Sequence, residues 1–223
     1  MQFDVVRQHA LEFDVDLPSR PPGSQLELAA ASYILGNLQL GGYSPRLDRV
    51  PVADSVSSTN VVAFPPNGTD PEFLVTITYD TPRSGRVQMG RELGLFLELA
   101  RALTVADPDH TVGFVALGAE TADQRGTRRL AQFLLDEAVE PSIISLRSEE
   151  AAEGNVFIFG SCMGSNEGAS TMPYSSSFTD AECRDLNTHS GALTEAGFQL
   201  TRISGDLEEM GRALFGFLTR PRS

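Results

Sequence analysis

Two carboxylates in this chain follow apolar stretches in a way that could bring them into one crevice. Asp80 ends Thr78-Tyr79-Asp80 after one apolar run, and Glu120 sits in Gly118-Ala119-Glu120-Thr121 after the next. Carboxylates so placed could do acid–base work on a small ligand, with Arg147 of Ser145-Leu146-Arg147 holding an anion such as a carboxylate. A zinc-like cation would need more, namely three or four deprotonated ligands at about 2 Å. Thr78 and Thr121 offer hydroxyls instead, and the Arg147 guanidinium repels a cation and cannot deprotonate. A plainer assignment is preferred for each group. Asp80 then bonds backbone amides in a turn, Glu120 pairs with an arginine such as Arg147, and Thr121 is a helix N-cap.

Three histidines complete the inventory: His9 on a polar helix face, His110 in a loop beside Asp109, and His189. The first two read as solvated. Cys162 and Cys183 make neither a disulfide framework nor a zinc cluster. Gly160-Ser161-Cys162-Met163-Gly164 follows an apolar run and has the spacing of a nucleophile elbow, with Asp185 and His189 later in triad order. That reading fails on its surroundings. An elbow requires a helix directly after it, whereas Ser165 to Pro173 is rich in Gly, Ser and Thr, and Asp185 and His189 are too close together to come from separate strand ends. Asn67-Gly68-Thr69 is read as a turn rather than a glycosylation site.

The elements that must position these groups alternate. Asp4 to Phe13 reads as a short helix. Ser24 and Glu27 have capping-box spacing, and Leu26, Ala29, Ala30, Tyr33, Ile34 and Leu38 recur at helical period up to Gly41-Gly42. Arg46 to Val52 is a strand that Pro51 assigns to a sheet edge, followed by a strand from Asn60 to Phe64. Glu72 to Tyr79 and Thr111 to Leu117 are buried strands separated by a helix over 89 to 103. A helix from Thr121 to Glu137, with Thr121 and Gln124 in capping-box spacing, precedes a strand at Ser142 to Leu146. Further strands are expected at Val156 to Phe159 and Phe198 to Ile203, a loop over Gly160 to Ser177, a helical turn at Leu193 to Ala196, and a last helix over Asp206 to Leu218. Such alternation specifies one α/β domain over residues 1–223, a three-layer α/β/α sandwich around a mostly parallel mixed sheet. In open α/β sheets ligands bind beyond the carboxyl ends of the strands, where Asp80, Glu120 and Arg147 all fall.

Composition narrows the function classes. The net charge of −13 repels nucleic acid and anionic lipid and suits solubility or a basic partner. All 17 basic residues are arginine, which no predicted site requires. No apolar run is long enough for a membrane-spanning helix. Met1-Gln2-Phe3-Asp4 has neither the basic nor the apolar segment of a signal peptide. A cytoplasmic protein with free thiols is the expectation.

The order of these segments resembles the zinc-dependent aminopeptidase and glutaminyl-cyclase family over nearly the whole chain. Arg20, Pro22-Gly23-Ser24, Glu27, Ala30, Tyr33-Ile34 and Gly42-Tyr43 resemble its entry helix, and Asn60-Val61-Val62-Ala63 the strand before the first ligand. Glu98-Leu99-Ala100-Arg101 resembles the helix after the bridging aspartate, and Thr188-His189-Ser190, Leu193 and Ala196-Gly197 a later family segment. The resemblance implies a ligand histidine at 78, where the chain has Thr78, with Asp80 as the aspartate that orients it. It implies a bridging aspartate near Gln88 and Met89, a general-base glutamate at Glu120, a ligand glutamate at Thr121 and a ligand aspartate at Arg147. The segment for the last ligand histidine is missing, since Ile203 runs through Ser204-Gly205 into the final helix.

The expectation is therefore a non-catalytic relative with no metal and no cofactor. Asp80 and Glu120 would be vestigial, and Thr78, Thr121, Arg147 and His189 would line a ghost site. A protein partner, or a small-molecule or peptide ligand in that crevice, would give it work as a binding or assembly subunit. The alternative is an active hydrolase of altered chemistry using Asp80 and Glu120.

Overall fold

The computed structural model describes residues 1–65, 68–83, 89–146, 200–203 and 207–221. Helix α1 (Phe3–Leu11) runs into a wide π turn (Glu12–Asp16) and then α2 (Gln25–Leu40). A hairpin follows, β1 (Ser44–Ala53) and β2 (Val56–Phe64), then β3 (Phe73–Thr78), α3 (Gly90–Ala106), β4 (Val112–Leu117), α4 (Arg125–Asp136) and β5 (Ser142–Leu146). The last described elements are β6 (Leu200–Ile203) and α5 (Leu207–Leu218). No described helix is long and apolar enough to cross a membrane.

The described strands form one sheet in the order β1-β2-β4-β3-β5-β6. β1 with β2 and β2 with β4 are antiparallel, while β4 with β3, β3 with β5 and β5 with β6 are parallel. The edge position argued from Pro51 holds, since β1 is outermost. Side chains alternate across the sheet. Val61, Ala63, Val75, Ile77, Phe114 and Ala116 pack under α1, α2, α3 and α5. Val62, Leu74, Val115, Leu117 and Ile143 pack under α4, on Leu130, Phe133 and Leu134. Helices on both faces make the sandwich, which is an α/β fold with a mixed, mostly parallel sheet.

Chain order reverses around β3. It leads through α3 to β4 on one side, and β4 leads through α4 back to β5 on the other. The ends of β3 and β4 thus meet at the reversal point, where open α/β sheets leave a crevice.

Local sequence accounts for both ends of α2. The Ser24 hydroxyl caps α2 by accepting the Glu27 N–H at 3.0 Å, and the Glu27 carboxylate accepts the Gly23 N–H at 2.6 Å. Gly42, at φ 92°, makes the turn out of α2. Three expectations need correction. The inner face of α2 is Glu27, Ala30, Ala31, Ile34 and Leu38, and Leu26 and Ala29 are exposed. Periodicity rotated the face because it could not count a buried carboxylate as an inward residue. Helix α4 starts at Arg125, not Thr121, so Thr121 caps nothing. His9 and His110 are not simply solvated: His9 Nδ1 lies 2.8 Å from the Tyr33 hydroxyl, and His110 Nδ1 3.0 Å from Glu72.

Candidate functional site

Parallel pairing of β3 with β4 sets Thr78 against Leu117, so the residues just after each strand meet. Asp80, fully buried, reaches the turn that follows β4. Its Oδ1 accepts the Glu120 N–H at 3.0 Å, and its Oδ2 accepts the Thr121 N–H at 2.9 Å and the Thr121 hydroxyl at 2.6 Å. Burial holds its pKa above the ordinary value, and these three donors offset that rise only in part. Asp80 thus bonds backbone amides in a turn, as its plainer assignment required.

The turn it holds is strained. Ala119 (φ 57°), Asp123 (φ 60°) and Gln124 (φ 53°) are all left-handed, a conformation costly to residues with a Cβ. Asn60, buried on β2, closes the turn from below. Its Oδ1 accepts the Gly118 N–H at 3.1 Å, and its Nδ2 donates to the Gly126 carbonyl at 2.9 Å. Gly118 and Gly126 approach so closely that a Cβ on Gly126 would stand 2.0 Å from the Gly118 oxygen. Residues 118 to 126 are therefore clamped at both ends and in the middle.

Glu120 turns toward the start of α4. Its Oε1 accepts the Thr127 N–H at 2.7 Å and its Oε2 the Thr127 hydroxyl at 2.8 Å. Burial pushes its pKa up to about 7, against the Thr127 bonds and with help from the Asp80 charge. Its anticipated partner Arg147 lies outside the described residues, as do His189 and the Cys162 elbow with Asp185. Thr78, half-buried, ends β3.

A second polar layer lies behind. Glu27 accepts the Ser58 hydroxyl, and burial raises its pKa. The Tyr79 hydroxyl donates to the Thr59 carbonyl at 2.6 Å. The fully buried Arg20 donates through Nε to the Tyr79 carbonyl at 2.6 Å and through Nη1 to the carbonyls of Phe13 and Leu17. Beside the turn opens a groove of about 220 Å³, lined by Pro22, Val52, Pro82, Arg83, Thr121 and Ala122.

Asn60 and Thr127 are the groups that sequence reasoning missed as parts of this site. Asn60 leaves a trace, as a lone amide heading the apolar run Val61-Val62-Ala63. Thr127 leaves none within Arg125-Gly126-Thr127-Arg128-Arg129.

No protein-family profile matches the sequence, and no curated protein does. Solved structures do match in shape. One is a putative zinc-dependent exopeptidase from Bacteroides vulgatus, at 14% identity and TM-score 0.71, with 99% of this chain and 97% of that one covered. A leucine aminopeptidase precursor from Bacteroides thetaiotaomicron matches at 13% identity and TM-score 0.69, over 99% and 98%. A glutaminyl cyclase from Porphyromonas gingivalis matches at 14% identity and TM-score 0.71, over 97% of each chain. Identities this low establish a shared fold.

The zinc named for the first of these tests the crevice directly. Among the described residues no three His, Cys, Asp or Glu side chains cluster to hold a metal ion. The Thr121 hydroxyl gives its proton to Asp80, and both Asp80 oxygens are taken by donors from the chain. Among the described residues, Asp80, Glu120 and Thr121 do not make a donor set that fits zinc.

Proposed function

We propose that this chain is a zinc-exopeptidase-like domain that has lost its metal site and acts by binding, as a ligand-binding or assembly subunit. One observation carries the reading. The residue where the resemblance calls for a ligand carboxylate is Thr121, and its hydroxyl closes a hydrogen bond onto Asp80. A hydroxyl bonded this way neutralises nothing and grips no cation. Without a metal, no bound water of low pKa is generated for Glu120 to serve. Arg147 and His189 remain proposed lining residues of the same crevice. The test is hydrolysis of aminoacyl p-nitroanilides and cyclisation of N-terminal glutamine, each with zinc added. No turnover above buffer is expected, and zinc-dependent turnover removed by a chelator contradicts the reading.

A second reading rests on Glu120 alone. A carboxyl held at about 7 is poised to give and take protons near neutral pH. It supports an enzyme of altered, metal-free chemistry. Any activity found would then disappear in Glu120→Gln, and an activity that survives that change excludes this reading.

A further inference from the structure

We propose that the groove beside Thr121 binds an acylated amino-acid carboxylate, either a free N-acyl amino acid or the C-terminal residue of a peptide. This names a ligand for the binding reading above and rests on it. Arg83 stands exposed at the groove, and among the described residues it has no ion-pair or hydrogen-bond partner. Most of the other described arginines do have such partners. Arg129 forks onto Asp48, Arg101 onto Glu98, and Arg125 reaches the Pro51 carbonyl. In a chain with 30 acidic and 17 basic residues, a guanidinium that meets no carboxylate among the described residues is a fork for one.

The rest of the lining sets what the carboxylate is attached to. Pro22, Val52, Pro82 and Ala122 are apolar, so the body of the ligand is a small hydrophobic side chain. Thr121 is the polar remainder. Its hydroxyl proton is committed to Asp80, so toward a ligand it acts only as an acceptor, which suits an amide N–H. Anion, small apolar group and amide N–H together describe an acylated residue such as acetylvaline. The volume of about 220 Å³ is below the range of drug-sized pockets, at roughly 300 Å³ and above, and suits one residue rather than several.

The apolar wall and the Thr121 side of the groove are pre-formed. Both prolines have fixed φ, and the turn bearing Thr121 and Ala122 is pinned by Asp80 and Asn60. The net charge of −13 opposes an incoming anion. Over distances beyond about 8 Å that field is screened at physiological salt, which leaves Arg83 as the local term.

Titration of isotope-labelled protein with N-acetyl-L-valine, followed by amide NMR signals, tests the assignment. The Arg83, Thr121 and Ala122 amides are expected to shift and saturate, and N-acetylvalinamide, which lacks the carboxylate, is expected to leave them in place. Arg83→Gln, an exposed change that leaves the fold intact, is expected to weaken binding about tenfold or more. A short peptide ending in valine that shifts the same signals identifies a chain terminus as ligand; a peptide excluded while acetylvaline binds identifies the free acid. Equal shifts from acid and amide, no shift from either, or unchanged affinity in Arg83→Gln overturns the proposal. Zinc-dependent turnover would sink the non-catalytic reading and leave this titration standing, so the two failures are distinguishable.

Discussion

The Thr121 hydroxyl donates to the Asp80 carboxylate at 2.6 Å, the shortest of the three bonds that close the turn onto β3. It joins two positions that the resemblance assigns to different tasks, one orienting a ligand and one being a ligand. In this chain they bond each other.

Thr121→Val removes that hydroxyl and leaves Asp80 buried with two donors. Loss of a hydrogen bond to a charged group costs about 1.5–3 kcal/mol, and urea unfolding is expected to show a loss of that size. Thr121→Glu places a carboxylate at the position but sets it against Asp80. It is expected to destabilise the protein without conferring zinc-dependent stabilisation, read as no change in melting temperature when zinc is added.

Glu120 gives a pH signature. Its folded pKa of about 7 lies above the ordinary value of 4.5. The unfolded chain then releases the proton first, so the contribution is fully present below about pH 4.5 and is gone above about pH 7. The shift corresponds to at most about 3 kcal/mol. Glu120→Gln keeps an acceptor for the Thr127 N–H and offers a donor to the Thr127 hydroxyl, while removing the titration. The stability of wild type minus variant is therefore expected to fall between pH 4.5 and 7. A difference that stays flat, in urea midpoints measured across that window, contradicts this assignment.

Asn60→Ala is expected to cost about 2–4 kcal/mol, because the buried Gly118 N–H and Gly126 carbonyl both lose their partner. Asn60→Asp keeps the acceptor and turns a carboxylate oxygen against the Gly126 carbonyl, so it is not expected to rescue the loss. Equilibrium unfolding of both variants decides the matter.

Gly126→Ala would drive a methyl group to 2.0 Å from a backbone oxygen and 2.8 Å from Asn60 Oδ1. Backbone cannot yield cheaply there, and a loss of about 3 kcal/mol or more is expected from overpacking and strain. Gly36→Ala, at a helix position with open space around it, is the control and is expected to be neutral or stabilising in the same thermal melts.

Much of this architecture was legible in the sequence. Strand β4 is a continuous apolar run and β3 is mostly apolar because both faces of the sheet are covered, and α3 carries Leu93, Phe96, Leu97, Ala100 and Leu103 at helical period. What misled was polar chemistry that serves tertiary contacts. Thr121 and Gln124 have capping spacing, yet the chain is left-handed at Asp123 and Gln124, and the Thr121 amide and hydroxyl are bound to Asp80 from the end of β3. Glu27 caps α2 and is also buried against Ser58, so a pattern of apolar residues pointed the helix the wrong way. Asn60 donates to the Gly126 carbonyl 66 residues away, Arg20 to the Tyr79 carbonyl 59 residues away, and Thr127 to the Glu120 carboxylate, and no cap or turn spacing encodes such partners. The occupant of position 121 could be read as a hydroxyl, but its spacing pointed to a helix cap, and its bond to Asp80 follows from the pairing of β3 with β4.

The most direct measurement is the zinc content of the purified full chain after equilibration with zinc and dialysis, read alongside anomalous scattering at the zinc edge from crystals. The account predicts well under one zinc per chain and no anomalous peak between Asp80, Glu120 and Thr121. One or two zinc ions per chain, with peaks in that crevice, would contradict it.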